Sequence, residues 1–285
     1  MDRVECHAMV RSIQNVLLEL LQEIDQVCQK HGFTYYLYYG TLLGAIRHHG
    51  FIPWDDDADI IMPRHDYERF LEVARIELPA RYFVQDYRSD PYYRNPFAKI
   101  RKEGTCCIVP EHRHIRMHQG IFVDIFPLDE LPCSKIGKWA MWNVPHFFER
   151  LCAFSCARLP RKIRWMEPAQ RLWQKVFTPA VFARLTNKAC IWFAGRSGSV
   201  MSVLDPDHYD PAHNTLPKDS LSPPRRVMFE EVELNVPAKA EELLSHQYGE
   251  YMKLPPVEKR IPLHSQGTVV DVHRDYREYL PELYA

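Results

Sequence analysis

The sequence has 285 residues, of which 46% are hydrophobic and 26% charged, a composition typical of a globular protein with a sizeable core. Its formal net charge of −1 gives no overall attraction to nucleic acid, and no run approaches the ~18 apolar residues that a transmembrane helix needs. The first residues lack the basic and apolar pattern of a signal peptide, so we expect a cytoplasmic protein whose eight cysteines are reduced.

The first part of the chain alternates between helical and extended patterns. Apolar residues recur with a helical period over residues 8–31, and Gly32 stands where that helix would end. The pattern then predicts, in chain order, a strand at 33–39, a short helix beginning near Thr41, a strand at 57–62 and a helix at 65–77.

The later elements are shorter. We expect strands at 81–86, 97–102 and 105–109, a buried strand at 120–126, helical segments over 135–197, a proline-rich loop at 198–226, an exposed strand at 227–236 and a helix at 238–252. Short strands mixed with helices favour an α+β fold over a regular βαβ series.

Charge is distributed unevenly along the chain. Residues 134–198 contain twelve Lys and Arg residues against two acidic residues, so this segment carries +10 and the remainder −11. The same segment contains five of the six tryptophans. Cations with tryptophans are typical of a peripheral membrane surface. The alternative is a helical subdomain with a tryptophan core and solvated cations, and RNA binding is less favoured because no recognition module is evident.

The stretch PWDDDADII, residues 53–61, places four aspartates between apolar residues. Two carboxylates about 4 Å apart repel by roughly 4 kcal/mol at an effective dielectric constant near 20, and a cation relieves that repulsion. In an extended strand Asp57 and Asp59 share one face, whereas Asp56 points away; Asp55 joins the face if the chain is already extended there. Carboxylates and phosphate oxygens are the ligands that Mg²⁺ prefers, although an acidic turn that only caps the strand is the simpler alternative.

Two further features favour the metal interpretation. Asp124 is the only charged residue in GIFVDIFP, and a buried carboxylate needs a metal or a partner such as Arg101. Gly40 and Thr41 stand at a strand-to-helix junction, where free backbone N–H groups attract phosphate. Together these residues are typical of a phosphoryl-transfer site.

The motifs resemble those of the LicD/fukutin family in the nucleotidyltransferase-like superfamily. The resemblance is carried by YLYYGTLLGAIRHHGFIPWDDDADIIMPRHDYERF, FAKIRKEGT, GIFVDIFPLDELP and YGEYMKLPP followed by His264. It implies a mixed sheet flanked by helices with an inserted basic helical subdomain. The implied domains are a catalytic core at 1–133, the insertion at 134–198, and a segment at 199–285 that completes the catalytic domain.

The resemblance also implies roles for individual residues. Asp57, Asp59 and Asp124 would ligate Mg²⁺, with Mn²⁺ as an alternative, and Asp124 would ligate the metal or act as the base. Phosphate-binding residues would be Gly40, Thr41, Arg47 and Lys99. The implied reaction transfers a phospho-alcohol, such as phosphocholine or ribitol phosphate, from a CDP-linked donor to a hydroxyl of a cell-surface glycan or its lipid-linked precursor, at the inner face of the membrane.

Other functions fit parts of the pattern. A metal-dependent glycosyltransferase also uses a DxD motif to hold a nucleotide sugar, and a non-catalytic glycan- or membrane-binding module remains open. A dehalogenase-type phosphatase is excluded because its nucleophile ends a hydrophobic strand, whereas Asp57 follows a polar stretch. Zinc binding by the segment 106–118 is less favoured, since its Cys and His spacing matches no standard template.

Overall fold

A computed structural model describes residues 3–156, 165–169, 177–195, 200–203, 214–262 and 267–284. Helix α1, Arg3–His31, lies against helix α3 and against the sheet, with Leu20, Leu21 and Ile24 fully buried. It ends at Gly32, which adopts φ 68°, a backbone conformation that favours glycine. The predicted N-terminal helix and its end are therefore confirmed.

The main sheet has seven strands in the described part of the chain. They are β1 (Tyr36–Leu37), β2 (Asp59–Pro63), β3 (Tyr82–Gln85), β4 (Ala98–Lys102), β6 (Phe122–Glu130), β7 (Val200–Val203) and β8 (Thr215–Pro217). Five strands follow the order β1-β2-β6-β4-β3, and β7 joins β6 to β8. Strand β6 is central: it pairs with β2 in parallel and with β4 and β7 antiparallel.

Helices cover the sheet, and two small sheets lie beside it. The other helices are α2 (Tyr39–His48), α3 (Arg64–Glu77), α4 (Lys135–Cys156), α5 (Pro179–Phe193), α6 (Lys218–Leu221), α7 (Ala240–Tyr248), α8 (Tyr276–Tyr279) and α9 (Pro281–Tyr284). Strands β9 (Arg225–Phe229) and β10 (Val232–Val236) form a hairpin, and β5 (Cys106–Ile108) pairs with β11 (Val269–Asp271).

Three predictions of local structure were wrong in part. The strand predicted at 33–39 is only two residues long, because the chain turns into α2 at Tyr39. The segment 198–226 is not simply a loop, since β7 and β8 extend the main sheet and α6 follows them. The residues predicted as one strand at 227–236 form the β9–β10 hairpin, which turns at Glu230 with φ 53°.

The protein is a mixed α and β structure with a mixed sheet flanked by helices, which confirms the coarser part of the predicted fold class. Helices α4 and α5 pack on each other within the segment 134–198, whose status as an inserted subdomain stays a prediction, as do the three domain boundaries. In the described residues we find no helix with the length and apolarity to cross a bilayer. Trp173 and His264 lie outside the described residues.

Candidate active site

Strand register brings the predicted residues together. Asp59 on β2 lies directly opposite Asp124 on β6, and Lys99 on β4 lies opposite Asp124 on the other side. Residues in register on adjacent strands point to the same face of the sheet. Three segments that are far apart in sequence therefore place two carboxylates and an ammonium group side by side.

A cavity of about 240 Å³ opens at this place. It is lined by Asp57, Tyr93, Arg94, Asn95, Phe97, Lys99, Arg101, Cys107, Val109, Glu111, His112, Met117, Gln119, Phe122 and Asp124. Three predicted residues, Asp57, Lys99 and Asp124, thus line the same cavity as the cations Arg94 and Arg101. A cavity with this charge pattern suits an anionic ligand that also binds a cation.

Lys99 and Asp124 form a buried ion pair. Lys99 Nζ donates to Asp124 Oδ1 at 2.5 Å, and the side chains of Lys99 and Asp124 are 9% and 14% exposed. Burial raises the pKa of Asp124. The positive charge of Lys99 acts against this rise, and the negative charge of Asp57 adds to it. Burial likewise lowers the pKa of Lys99, whose ammonium lies 3.5 Å from the centre of the Phe122 ring. In the alternative to a metal, an ion-paired Asp124, the hydrogen-bonded partner is thus Lys99, and the charge of Arg101 acts on the same carboxylate.

Thr41 and Gly40 support the aspartates. The backbone N–H of Asp59 donates to Thr41 Oγ1 at 2.8 Å, which ties the start of α2 to the start of β2. A Cβ at Gly40 would lie 2.7 Å from Asp55 Oδ2, so a larger residue there would require the Asp55 carboxylate to move. Their predicted contacts with phosphate stay predictions.

The turn into α2 is strained. Tyr39 adopts φ 45°, a left-handed conformation that costs a non-glycine residue about 1–2 kcal/mol. Its ring lies 4.2 Å from that of Tyr38, and its hydroxyl donates to Asn214 Oδ1 at 2.9 Å. These contacts hold the backbone of the glycine–threonine turn in place.

Arg47 does not line the cavity. Its Nη1 donates to the carbonyl of Tyr251 at 2.7 Å. Burial lowers the pKa of Arg47, the nearby charge of Arg260 lowers it further, and Asp55 opposes both. Arg260 in turn lies over the Trp54 ring at 5.6 Å. The structure therefore places two guanidinium groups near the first aspartate of the motif and outside the cavity.

Three cavity residues were not singled out from the sequence as site residues. Arg101 is buried, donates to the carbonyl of Gly120 at 2.5 Å, and has its charge near Asp124. Gln119 is 1% exposed; its amide group donates to the carbonyls of His112 and Ile115, and its Oε1 has no hydrogen-bond partner among the described residues. His112 Nε2 is likewise buried and without a partner in the described part of the chain.

His112 is held neutral. Burial lowers its pKa to about 3, and the charges of Arg94, Arg101 and Lys99 act in the same direction. The sequence drew attention to His112 only among the Cys and His residues of 106–118 considered for zinc, and its burial cannot be read from the loop sequence. The cavity thus combines a charged wall with neutral polar groups.

Carboxylates of this kind suit a hard divalent cation. Asp57 and Asp124 line one cavity, where burial raises the pKa of Asp124 and the charge of Asp57 adds to that rise, and Asp59 stands in register with Asp124. Oxygen donors of this type are those that Mg²⁺ prefers. Among the described residues, no three His, Cys, Asp or Glu side chains are already gathered as a metal cluster, and Lys99 supplies the positive charge beside Asp124. The donor set fits the metal by the type of its side chains, and its gathering around a metal ion stays a prediction.

Comparisons with known proteins find relatives of this chain. Residues 32–148, which contain Asp57, Lys99 and Asp124, match the nucleotidyltransferase domain of LicD/FKTN/FKRP. The chain is 29% identical over 269 residues to the lipopolysaccharide cholinephosphotransferase LicD of Haemophilus influenzae, covering 92% of this chain and 98% of that protein.

Two shorter similarities involve uncharacterised proteins. One is from Rickettsia typhi, 39% identical over 57 residues, which are 20% of this chain and 18% of that protein. The other is from Rickettsia prowazekii, 42% identical over 50 residues, which are 18% of this chain and 19% of that protein. The chain is thus similar to the LicD family in its nucleotidyltransferase domain and, along almost its whole length, to one LicD protein.

Proposed function

We propose that this protein is an enzyme that transfers phosphocholine from a CDP-linked donor to a hydroxyl of a glycan of the lipopolysaccharide type. The observation that carries the proposal is the meeting of Asp57, Lys99 and Asp124 at one cavity, inside the segment that matches the family. Phosphocholine is favoured over ribitol phosphate because the relative aligned along almost the whole chain is a lipopolysaccharide cholinephosphotransferase.

The charged wall suits the donor. Lys99, Arg94 and Arg101 supply positive charge to a diphosphate, and Asp57, Asp59 and Asp124 would hold Mg²⁺, or Mn²⁺ in its place. The metal supplies charge neutralisation to the diphosphate when it is bound. Arg47 stays in the proposal as a source of positive charge near Asp55, and Gly40 and Thr41 as the turn that presents backbone N–H groups.

The transfer itself is an in-line displacement. The acceptor hydroxyl oxygen forms a bond to the phosphorus of phosphocholine, and the bond from that phosphorus to the bridging oxygen of the diphosphate breaks, so CMP leaves. The hydroxyl proton passes to the carboxylate of Asp124 where Asp124 acts as the base instead of a metal ligand. Gln119 Oε1 and the neutral imidazole of His112 orient neutral polar groups of the substrates by hydrogen bonding.

The acceptor of such a reaction is amphiphilic, because a lipopolysaccharide-type glycan or its precursor carries lipid. The proposal therefore includes a contact between the segment 134–198 and the membrane face at which that acceptor is anchored. It places the reaction on the cytoplasmic side, where nucleotide-linked donors are made.

The test is thermal stability of the purified protein with Mg²⁺ and one of CDP-choline, CDP-ribitol, CDP-glycerol or UDP-glucose. A ligand at 100 times its Kd adds about 2.7 kcal/mol to the free energy of unfolding, which raises Tm by several degrees in a chain of this size. We expect the shift with CDP-choline, its loss in Asp57→Asn, and its retention in the matched control Asp219→Asn, which lies on the surface helix α6. A shift only with UDP-glucose would instead assign a glycosyltransferase.

A further inference from the structure

Helix α4 carries apolar side chains on its outer face. Ile136, Trp139 and Phe147 are 81%, 64% and 57% exposed, and their spacing places them along one side of the helix. Lys135 and Lys138 are exposed beside them. Large apolar groups in one row, flanked by cations, are unusual on a surface that faces only water.

Helix α5 continues the same pattern. Arg184 and Lys188 are exposed one turn apart, and Ile191 and Trp192 follow on the next turn. Trp192 is 84% exposed. We call the exposed apolar and cationic residues of the two helices the outer face of the hairpin; they are Lys135, Ile136, Lys138, Trp139, Phe147, Arg150, Arg184, Lys188, Ile191 and Trp192.

The contact between the two helices uses other residues. Trp142 and Cys190 pack together and are buried, and Phe182 is buried on the same inner side. The tryptophans of this segment therefore divide into a core residue, Trp142, and exposed residues such as Trp139 and Trp192. The hairpin does not need the exposed ones to hold its helices together.

The outer face is cationic as well as apolar. Glu149 is the acidic residue of the two helices; its side chain is 11% exposed, and it accepts from His146 at 3.2 Å. The outer face thus presents positive charge with no carboxylate among its residues. An anionic, apolar partner complements both properties at once, and an anionic lipid bilayer has both.

We propose that the outer face of the α4–α5 hairpin binds the surface of an anionic phospholipid bilayer. The aromatic and aliphatic side chains enter the interfacial layer, and the lysines and arginines contact the headgroups. The proposal names the residues that make the membrane contact of the proposed function, and its vesicle test does not depend on transfer activity.

The hairpin also touches the loop that lines the cavity. Asn187 Nδ2 donates to the carbonyl of Pro96 at 2.7 Å, and the backbone N–H of Ala180 donates to the carbonyl of Pro91. The cavity residues Tyr93 and Phe97 belong to the same loop. A bilayer held by the outer face would therefore lie on the helices that support the cavity, which suits an acceptor that is itself anchored in lipid.

The experiment is co-sedimentation of the purified chain with vesicles of phosphatidylcholine alone or with 30% phosphatidylglycerol, each at 0.1 and 0.5 M salt. The Debye length is about 10 Å at 0.1 M salt and shorter at the higher concentration, so the second condition screens charge attraction more strongly. We expect binding to the anionic vesicles, weakened at the higher salt. Trp139→Ser with Trp192→Ser should weaken it at least tenfold, and so should Lys135→Glu with Lys188→Glu. The matched controls are Ile76→Ser, 85% exposed on α3, and Lys253→Glu, whose side chain is 80% exposed.

Equal binding by the parent and both double variants would overturn the proposal, and so would no binding to anionic vesicles. A parent dimer that the tryptophan variant dissociates, in sedimentation velocity without vesicles, would also overturn it and assign the face to a second copy of the chain. The Tm shift caused by the donor, measured in the same variants, distinguishes failure of the membrane proposal from failure of the proposed function. Its retention beside lost vesicle binding would confirm that the two sites are distinct.

Discussion

At the scale of single residues, the site is defined by how Asp124 is compensated. A carboxylate buried between strands needs an opposite charge, and Lys99 provides it from the neighbouring strand at 2.5 Å. Lys99 is itself buried and lies against Phe122 and near Arg101, so the pair is surrounded by further positive charge. The positive charges of Lys99 and Arg101 exceed the single negative charge of Asp124, and the negative charge of a bound diphosphate would balance them.

Removing Lys99 should expose this dependence. Lys99→Met leaves the Asp124 carboxylate buried without its partner, and we expect the free energy of unfolding to fall by about 3–5 kcal/mol. Lys99→Met combined with Asp124→Asn should cost less than Lys99→Met alone, because no buried charge is then left unpaired. Urea unfolding at pH 7 measures both.

Lys102 offers the matched control on the same strand. It pairs with Glu19 near the surface, where an ion pair contributes about 1 kcal/mol or less, so Lys102→Met should have a small effect. If the effects of Lys99→Met and Asp124→Asn simply add, the two side chains do not compensate each other and the account of the pair is wrong.

His112 should make stability depend on pH. Its pKa is about 3 in the folded protein and about 6.5 in the unfolded chain, so below pH 6.5 the unfolded state binds a proton that the folded state does not. The free energy of unfolding therefore falls as the pH falls from about 6.5 towards 3, by up to about 1.4 kcal/mol per pH unit. Between pH 8 and pH 5 this one group contributes a loss of about 2 kcal/mol.

The comparison with His112→Gln isolates that contribution. Other histidines with lowered pKa, such as His118, affect both proteins equally. Urea unfolding at pH 8 and pH 5 should show the smaller loss in His112→Gln. An identical loss in both proteins would mean that the His112 imidazole is protonated in the folded state.

At the scale of secondary-structure elements, the α4–α5 hairpin is anchored by polar contacts to the catalytic part of the chain. Arg64 on α3 pairs with Asp129 on β6 at 2.5 Å and donates to Asn187 on α5 at 3.0 Å. Asn187 then donates to the carbonyl of Pro96 beside the cavity. The helix is thus connected with the sheet and with the cavity loop through one buried side chain.

We expect Asn187→Ala to weaken both connections. It leaves the carbonyl of Pro96 without its donor and should lower the free energy of unfolding by about 1–3 kcal/mol. Transfer activity should fall further than stability alone explains, because the loop that carries Tyr93 and Phe97 loses its support. Urea unfolding and phosphocholine transfer assays check the two effects.

The control for this change lies on α4 of the same hairpin. Asn143 is exposed and donates to the carbonyl of Trp139 within its own helix, so Asn143→Ala should change stability by less than about 0.5 kcal/mol. Equal losses of activity in both variants would show that the hairpin is sensitive to any change and that Asn187 has no particular connection with the cavity.

At the scale of the whole molecule, the hydrophobic core and the site are separate. The main core joins α1, α3 and the inner face of the sheet, and it contains none of the proposed metal ligands. Folding should therefore not require the metal, whereas donor binding should.

Chelation tests this separation. With EDTA in place of Mg²⁺, we expect the Tm rise caused by the CDP-linked donor to disappear, while the Tm of the donor-free protein changes by less than about 2 °C, which corresponds to under ~1 kcal/mol for a chain of this size. Differential scanning fluorimetry measures both. A large fall in the Tm of the donor-free protein would show that a metal stabilises the fold itself.

The amino-acid sequence by itself determined the local elements and the residue types of the site. The helical period over 8–31, the glycine at its end, the short helix after Gly40 and the run around Asp124 each depend on neighbours within a few residues. Local spacing also identified the aspartate motif, and local composition identified the basic, tryptophan-rich segment.

Only the tertiary structure decided which of these residues meet. Strand register made Lys99 the partner of Asp124 and added β7 to the sheet from a proline-rich segment. Arg47 lies on helix α2, where it donates to the carbonyl of Tyr251 and does not line the cavity. Packing of α4 on α5 decided that Trp142 is buried and Trp192 exposed. The physical reason is that ion pairs, register and burial arise from contacts between residues distant in the chain, and a local pattern contains no information on which distant segments pair.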